Sequence, residues 1–442
     1  MKYLIIGGSA AGMQAAEELR KKDKKSEITL ISKEKDYPYS RCLLSRYVDK
    51  RMSINNFYFK TDHFFKDKNI KAVLGKEVIE IKRQEKKVIC DDLKEFSYDK
   101  LLIATGSTPW MPDIDGINLA GVYTFHSLDD AKKIKESIKN ARKAVVLGAG
   151  FIGLEAAYAL SKNNIDVTVI EKGSQLLPKQ IDLSASKIIQ ADLEELKIKI
   201  IFDESLSSIN GEGRIDSVTL MNNSLMQCDM LIIAIGVRPN VFLAKKAGLE
   251  TDRGIIVDEF FRTSDKDIYA AGDVIEINDI ATGKRDLSAT WFNAVLHGKY
   301  AAGNMAGYRK RYTGAVGIQN AVQFHRIPVI SFGKTLLEGD DEYKDYEVIT
   351  ILKGNVYKKL IIKANRIVGM IFVNDINKSG FYAALIRNSV DISMYKDRIL
   401  DSDFSYAYFK DNNFGEYNTY FKTDECWERP DWWAHRLHCQ MG

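Results

Sequence analysis

The stretch Ala144-Val145-Val146-Leu147-Gly148-Ala149-Gly150-Phe151-Ile152-Gly153 decides the reading of this chain. A short unbroken apolar run is the pattern of a buried parallel strand, and here it leads through glycines spaced G-x-G-x-x-G into a helix containing Ala157 and Leu160. The three glycines serve different ends. Gly148 permits a tight bend, Gly150 lets the backbone approach a pyrophosphate, and Gly153 lets the helix pack against its strand. The next strand, Val167 to Ile170, ends at Glu171, twenty-one residues after Gly150. A carboxylate there binds a ribose 2′-hydroxyl and disfavours a 2′-phosphate, so NADH is expected over NADPH.

The chain opens with a second version of this unit. Tyr3 to Ile6 runs into Gly7-Gly8-Ser9-Ala10-Ala11-Gly12, then a helix through Glu17 and Arg20, then a strand from Ile28 to Ile31. Ser9 replaces the middle glycine with little added bulk, so the turn keeps its phosphate-binding character. Glu34 is the first acid after that strand and the candidate ribose ligand. One glycine turn signals no more than a helix packed closely on a strand. Two, each in strand–turn–helix context, predict two dinucleotide-type folds.

Further apolar runs support that division. Lys100 to Ile103 ends in Ala104-Thr105-Gly106 and is followed by Pro109 and Pro112; Leu231 to Ile235 ends in Gly236 and is followed by Pro239. The prolines read as hinges between units. Lys76 to Ile89 alternates like a β-hairpin, Ile268 to Gly272 is another short strand, and Ala289 to Ala306 reads as a helix rich in small residues. From about Ala321 β-like runs follow, Val329 to Phe332, Tyr346 to Leu352, Tyr357 to Lys363 and Ile367 to Phe372, with a helix from Gly380 to Asn388.

Composition narrows the class. The 442 residues are 45% hydrophobic and 28% charged, which suits roughly three globular domains. Lys+Arg number 64 against 60 Asp+Glu, with both signs interspersed, so no nucleic-acid partner is expected. The five cysteines, Cys42, Cys90, Cys228, Cys426 and Cys439, are odd in number and lack C-x-x-C spacing, which suggests a reducing compartment. No leader and no apolar run near the ~18 residues of a membrane span is evident. The expected location is the cytoplasm.

Taken as an ordered set, Gly7 to Gly12, Ala104-Thr105-Gly106, Gly148 to Gly153 with Glu155, Gly236-Val237-Arg238-Pro239 and Tyr269-Ala270-Ala271-Gly272-Asp273 resemble the pyridine nucleotide-disulfide oxidoreductase superfamily of flavoproteins. The resemblance implies an α/β fold of two Rossmann-like dinucleotide-binding domains plus a C-terminal α+β interface domain. FAD would sit on the first turn and NADH on the second, with Val78, Gly272 and Asp273 among the FAD ligands and Asp273 on the ribityl chain. The implied FAD-binding domain is discontinuous, 1–113 and 245–320. The NAD-binding domain is 114–244, the C-terminal domain 321–400, and 401–442 an aromatic-rich tail.

Pro38-Tyr39-Ser40-Arg41-Cys42-Leu43-Leu44-Ser45-Arg46 resembles a stretch of rubredoxin reductases, dioxygenase ferredoxin reductases and nitrite reductase flavin regions. There the residue matching Arg41 lies near FAD, and the one matching Arg46, a lysine in the family, lies close to the reactive ring. A cation so placed stabilises the charge that hydride transfer creates. Cys42 replaces a proline. It is either a packing residue or, as in NADH oxidases, peroxidases and coenzyme A-disulfide reductases, a redox thiol, and Arg41 and Arg46 are then expected to lower its pKa. The resemblance further implies that Phe151 is a nicotinamide shield, unless it is a core anchor, that Glu155 faces the same site, and that Trp291 opens the helix beside the flavin, with His297 a packing histidine or a catalytic acid. The aromatic tail is either an interface or a wrap around its own body. Cys426, His435, His438 and Cys439 match no usual zinc spacing.

The resulting expectation is an FAD-dependent NADH oxidoreductase that passes electrons to an iron-sulfur or rubredoxin-type acceptor, reversibly or within a larger redox complex, as a homodimer or hetero-complex. The alternatives are a Cys42-based oxidase, peroxidase or disulfide reductase, and an NAD(H)-docking subunit of a metalloenzyme.

Overall fold

The computed structural model describes residues 1–409. Two five-stranded, all-parallel sheets carry the two glycine turns. The first runs Lys71–Leu74, Glu27–Ser32, Lys2–Ile6, Lys100–Ile103, Ile268–Ala270. The second runs Lys199–Ile201, Asp166–Ile170, Lys143–Leu147, Met230–Ile233, Val122–Thr124. The spatial order is the same, and only the source of the last strand differs. In the first sheet it arrives from far downstream, and in the second from just upstream. The inner strands are covered on both faces, with Leu4, Ile5, Val145 and Val146 essentially inaccessible, which is why they read as continuous apolar runs.

Register places the glycine-turn loops of each sheet at that sheet's carboxyl end. Ile6 pairs with Ile31 on one side and Ile103 on the other, and Leu147 pairs with Ile170 and Ile233. The glycine turns, Ser32 to Glu34, Ala104 to Gly106, Glu171 and Gly236 therefore leave their strands together at the carboxyl ends, where an open α/β sheet binds its ligand. The proline segments are not loose hinges. Ser107–Pro109 and Val237–Pro239 form an antiparallel pair, and the Asn240 amide donates to the Thr105 carbonyl at 2.8 Å. Two crossings of the chain are thus locked into one ribbon.

The C-terminal domain is an antiparallel sheet ordered Gln319–Phe324, Ile327–Gly333, Arg366–Val373, Val356–Lys363, Glu347–Lys353. The helix Ser379–Arg387 packs on it with Phe381 to Ile386 buried without a break, because a second layer covers its outer side. Phe404 and Phe409 supply that layer, fully buried, with Phe404 5.6 Å from Phe381 and Phe409 4.9 Å from Tyr395 between ring centroids. The first nine residues of the aromatic-rich stretch thus complete a core. Phe414, Tyr417, Tyr420, Phe421, Trp427, Trp432, Trp433 and the Cys426, His435, His438, Cys439 group lie outside the described residues.

Polar ties join this domain to the second sheet. Asp182 caps the helix Leu183–Glu195 and also accepts from Tyr357 at 2.7 Å and from the buried Lys359 at 2.9 Å. Asp192 meets His325 at 3.2 Å and Arg326 at 2.7 Å. Among the described residues no helix is long and apolar enough to cross a membrane.

Candidate active site

The two turns are built alike. A Cβ on Gly7 would lie 2.0 Å from the Ala104 carbonyl oxygen and one on Gly148 2.5 Å from that of Ala234, and both residues have φ above +100°. Only glycine fits there. Gly12 and Gly153 close the other side: a Cβ on either would stand 1.9 Å from the carbonyl oxygen of Gly7 or Gly148. Gly150 differs, because a Cβ there would meet nothing within 4 Å. Its face opens onto the space a ligand would fill.

The helix starts have donors to spare. Ser9 and Gly150 are the N-caps of Ala10–Lys22 and Phe151–Ser161, and neither makes a side-chain cap. Their first-turn N–H groups and the positive end of each helix dipole face the open side. Ala10 and Ala11 are buried, whereas Ile152 is 40% exposed. Glu171 accepts from the Ala149 amide at 2.7 Å and the Gly173 amide at 2.8 Å. The carboxylate expected to meet a ribose thus also braces the turn.

Glu34 accepts from the Tyr39 hydroxyl and forms an ion pair with Arg41. Arg41 also donates to the His126 carbonyl at 2.6 Å, and the Leu128 amide donates to the Tyr39 hydroxyl at 2.8 Å. Burial works against the Arg41 charge, but Glu34 holds its pKa above the ordinary value. Tyr39, His126 and Leu128 were not legible as site residues, because nothing in the chain marks which loops meet. The Gly75 amide donates to the Glu34 carbonyl, which sets Val78, buried at the start of Val78–Lys82, beside the same corner.

Cys42 lies on a single turn, Arg41–Leu43, before the short helix Leu44–Val48 that carries Arg46. On the redox-thiol alternative Arg41 and Arg46 were to lower the pKa of Cys42; it is instead pushed up. The thiol is open to water, yet the cleft walls crowd it; this desolvation is the largest cause, with Glu155 and Asp273 adding to it and a Ser40 hydrogen bond opposing. Arg41 is committed to Glu34. Burial also raises the carboxyls of Glu155 and Asp273, the first opposed by a hydrogen bond with Ser45 and by Arg51 and Arg46, the second by Ser107 and Arg41. The Ser107 hydroxyl donates to Asp273 at 3.2 Å.

Other candidates fall elsewhere. Phe151 stacks on the buried Phe324 at 5.9 Å, nearly parallel, and so anchors the C-terminal sheet. Trp291 begins the helix Trp291–Met305 and packs edge-on against Phe59, beside Ala10 and Met13. His297 is fully buried against Phe261 and Tyr312, and burial pushes its imidazole down to about 3. It is a packing residue, neutral at ordinary pH. Thr105, Gly106 and Gly272 follow strands of the first sheet at its carboxyl end and Gly236 a strand of the second, and Gly106 and Gly236 also face open space.

The residues present fit two dinucleotides: open glycine faces, uncapped helix starts and an acid beyond each second strand. The family described as pyridine nucleotide-disulphide oxidoreductase matches residues 1–298, and the rubredoxin NAD+ reductase C-terminal domain matches 320–390. The chain is 36% identical to an NADH oxidase of Methanocaldococcus jannaschii, over 71% of each chain. It is 30% identical to the assimilatory nitrate reductase electron transfer subunit of Bacillus subtilis over 92% of its own length, but spans only 52% of that subunit. The solved NAD-dependent persulfide reductase of A. fulgidus superposes with a TM-score of 0.84 at 29% identity, covering 92% of this chain and 79% of that one.

Proposed function

The chain belongs to the pyridine nucleotide-disulphide oxidoreductase family, and from that membership we propose that it moves electrons from NADH, through FAD, to a rubredoxin-type or iron-sulfur protein. FAD, when bound, supplies a ring that accepts a hydride and gives up electrons one at a time. The chain supplies the rest. Gly7 to Gly12 and the uncapped start of Ala10–Lys22 hold the FAD pyrophosphate, Glu34 its ribose, and Asp273, fixed by Ser107, its polyol. Gly148 to Gly153 and Glu171 hold NADH, whose free 2′-hydroxyl suits a carboxylate. Arg46 offers positive charge where hydride transfer makes negative charge. Glu155, with its carboxyl pKa raised, holds a proton more readily than an ordinary glutamate.

The observation that carries the choice of a protein acceptor is the match of residues 320–390 to a rubredoxin NAD+ reductase C-terminal domain. The raised pKa of Cys42, from desolvation and then from Glu155 and Asp273, is in keeping with it, because a thiol redox centre works as the thiolate. A second reading, reduction of oxygen or a small disulfide at Cys42, draws on the thiol's access to water and on the activities for which the NADH oxidase and persulfide reductase relatives are named.

Cys42→Ser separates the two. We expect NADH to bleach bound flavin in stopped-flow at an unchanged rate, and rubredoxin or dye turnover to persist. Loss of turnover together with loss of a long-wavelength charge-transfer band would install the thiol reading instead. Faster bleaching by NADPH than by NADH would remove the Glu171 assignment.

A further inference from the structure

The hydroxyl of Tyr39 is shared between groups that belong to the two parallel sheets. It donates to Glu34, which follows the strand Glu27–Ser32 of the first sheet, and it accepts from the Leu128 amide at 2.8 Å. Leu128 opens the helix Leu128–Ser137, which the chain enters from the strand Val122–Thr124 of the second sheet. Arg41 makes the same crossing. It pairs with Glu34 while donating to the His126 carbonyl at 2.6 Å and to the Tyr39 hydroxyl at 3.3 Å. Tyr39 thus takes one carboxylate oxygen of Glu34, and Arg41 takes the other.

The helix start cannot supply what Tyr39 supplies. The Asp130 amide donates to the Ser127 hydroxyl at 3.1 Å, and the Asp130 carboxylate accepts from the Ser127 and His126 amides at 3.0 Å each. That box does not reach the Leu128 amide, a first-turn donor with no carbonyl partner in its own helix. Leu128 is fully buried and Tyr39 is 5% exposed, so the phenol is the acceptor at hand. Packing asks only for the ring, which stacks on Phe57 and which phenylalanine would reproduce. The hydroxyl does the joining.

We infer that Tyr39 is a positioning residue that ties occupation of Glu34 by the FAD ribose to the seating of the helix Leu128–Ser137, so that the adenosine end of FAD helps hold the second sheet in place against the first. This rests on Glu34 being the ribose ligand, as proposed above. A carboxylate has about four acceptor sites; Tyr39 and Arg41 use two, and a ribose diol has the others. Held from both sides, the acid meets the ribose already oriented. Ordering it then orders Tyr39, Arg41 and the helix start they hold, and the coupling runs equally in the other direction.

The test uses the full chain stripped of flavin and titrated with FAD or with FMN, which has no adenosine ribose, by quenching of flavin fluorescence, together with amide hydrogen exchange over residues 126–137. Tyr39→Phe should weaken FAD binding about tenfold and leave FMN unchanged. Glu34→Gln should do likewise, and the double variant should lose little more than either single one, because both act through one carboxylate. In the wild type, saturating FAD should slow exchange over 126–137 and saturating FMN should not; in Tyr39→Phe, saturating FAD should no longer slow it. Equal weakening of FAD and FMN by Tyr39→Phe, additive losses in the double variant, or FAD-induced protection that survives Tyr39→Phe overturns the role of Tyr39 and leaves Glu34 as the ribose ligand. Unchanged FAD affinity in Glu34→Gln removes the ribose ligand itself, and the coupling with it.

Discussion

Gly150 and Gly153, three residues apart, make different demands. A methyl on Gly150 enters open space, and its backbone is in the ordinary extended region at φ −75°. Gly150→Ala should therefore keep the melting temperature, or raise it slightly through loss of unfolded-state entropy, while weakening NADH binding. A methyl on Gly153 meets a backbone oxygen at 1.9 Å, so Gly153→Ala should cost about 1–3 kcal/mol of overpacking. Thermal unfolding with and without NADH distinguishes a ligand-facing glycine from a packing one. The spacing alone assigned both roles, Gly150 to the approach of a ligand and Gly153 to packing of the helix on its strand, and the room around each Cβ position follows that division. Cys42 is different. On one of its two readings its arginine neighbours were to activate it, yet Arg41 is spent on Glu34, and the thiol is raised chiefly by desolvation, with lesser contributions from Glu155 and Asp273, which come from far along the sequence.

At the scale of the element, the helix Trp291–Met305 holds a titratable group buried against Phe261 and Tyr312. His297 is inaccessible, and neither ring nitrogen has a hydrogen-bond partner. Its imidazole pKa is lowered from 6.5 to about 3 by burial. Between these values the unfolded chain takes up a proton that the folded chain refuses, so stability falls as pH drops below about 6.5. His126, lowered to about 4 by burial and by Arg41, acts in the same direction. His297→Leu should flatten the loss of melting temperature between roughly pH 7 and pH 5, whereas wild type declines. A steeper decline in the variant would refute this account. The small residues of this helix were visible as a pattern. The partner helix that requires them, Ala10–Lys22, was not, because close approach joins segments nearly three hundred positions apart.

Across the whole molecule, residues 36–58 belong by sequence to the first sheet but pack largely with the second. Tyr39, Leu44, Val48 and Phe57 share a core with Leu128, Ala156 and Leu160, and Lys132 pairs with Asp36 at 2.9 Å. Phe57 is fully buried there, stacked on Tyr39 at 5.3 Å between centroids. Phe57→Ala should cost about 3–5 kcal/mol and, because this segment carries Arg41, Cys42 and Arg46, should also slow flavin bleaching by NADH. Denaturant unfolding and stopped-flow on one sample test both. If stability falls but bleaching does not change, the segment's packing does not position the cleft. Any truncation meant to probe the aromatic tail must retain residues through Phe409, since Phe404 and Phe409 complete the C-terminal core.

The sequence by itself determined the two strand–turn–helix units, the acids that follow them and the β-rich C-terminal region, because each depends on local periodicity and glycine stereochemistry, which are properties of neighbouring residues. Only the tertiary structure decided the state of Cys42, the bracing roles of Tyr39, His126, Ser107 and Asn240, and the ribbon made by the proline segments. These depend on which distant side chains meet and how much water they exclude, and no local pattern carries that information.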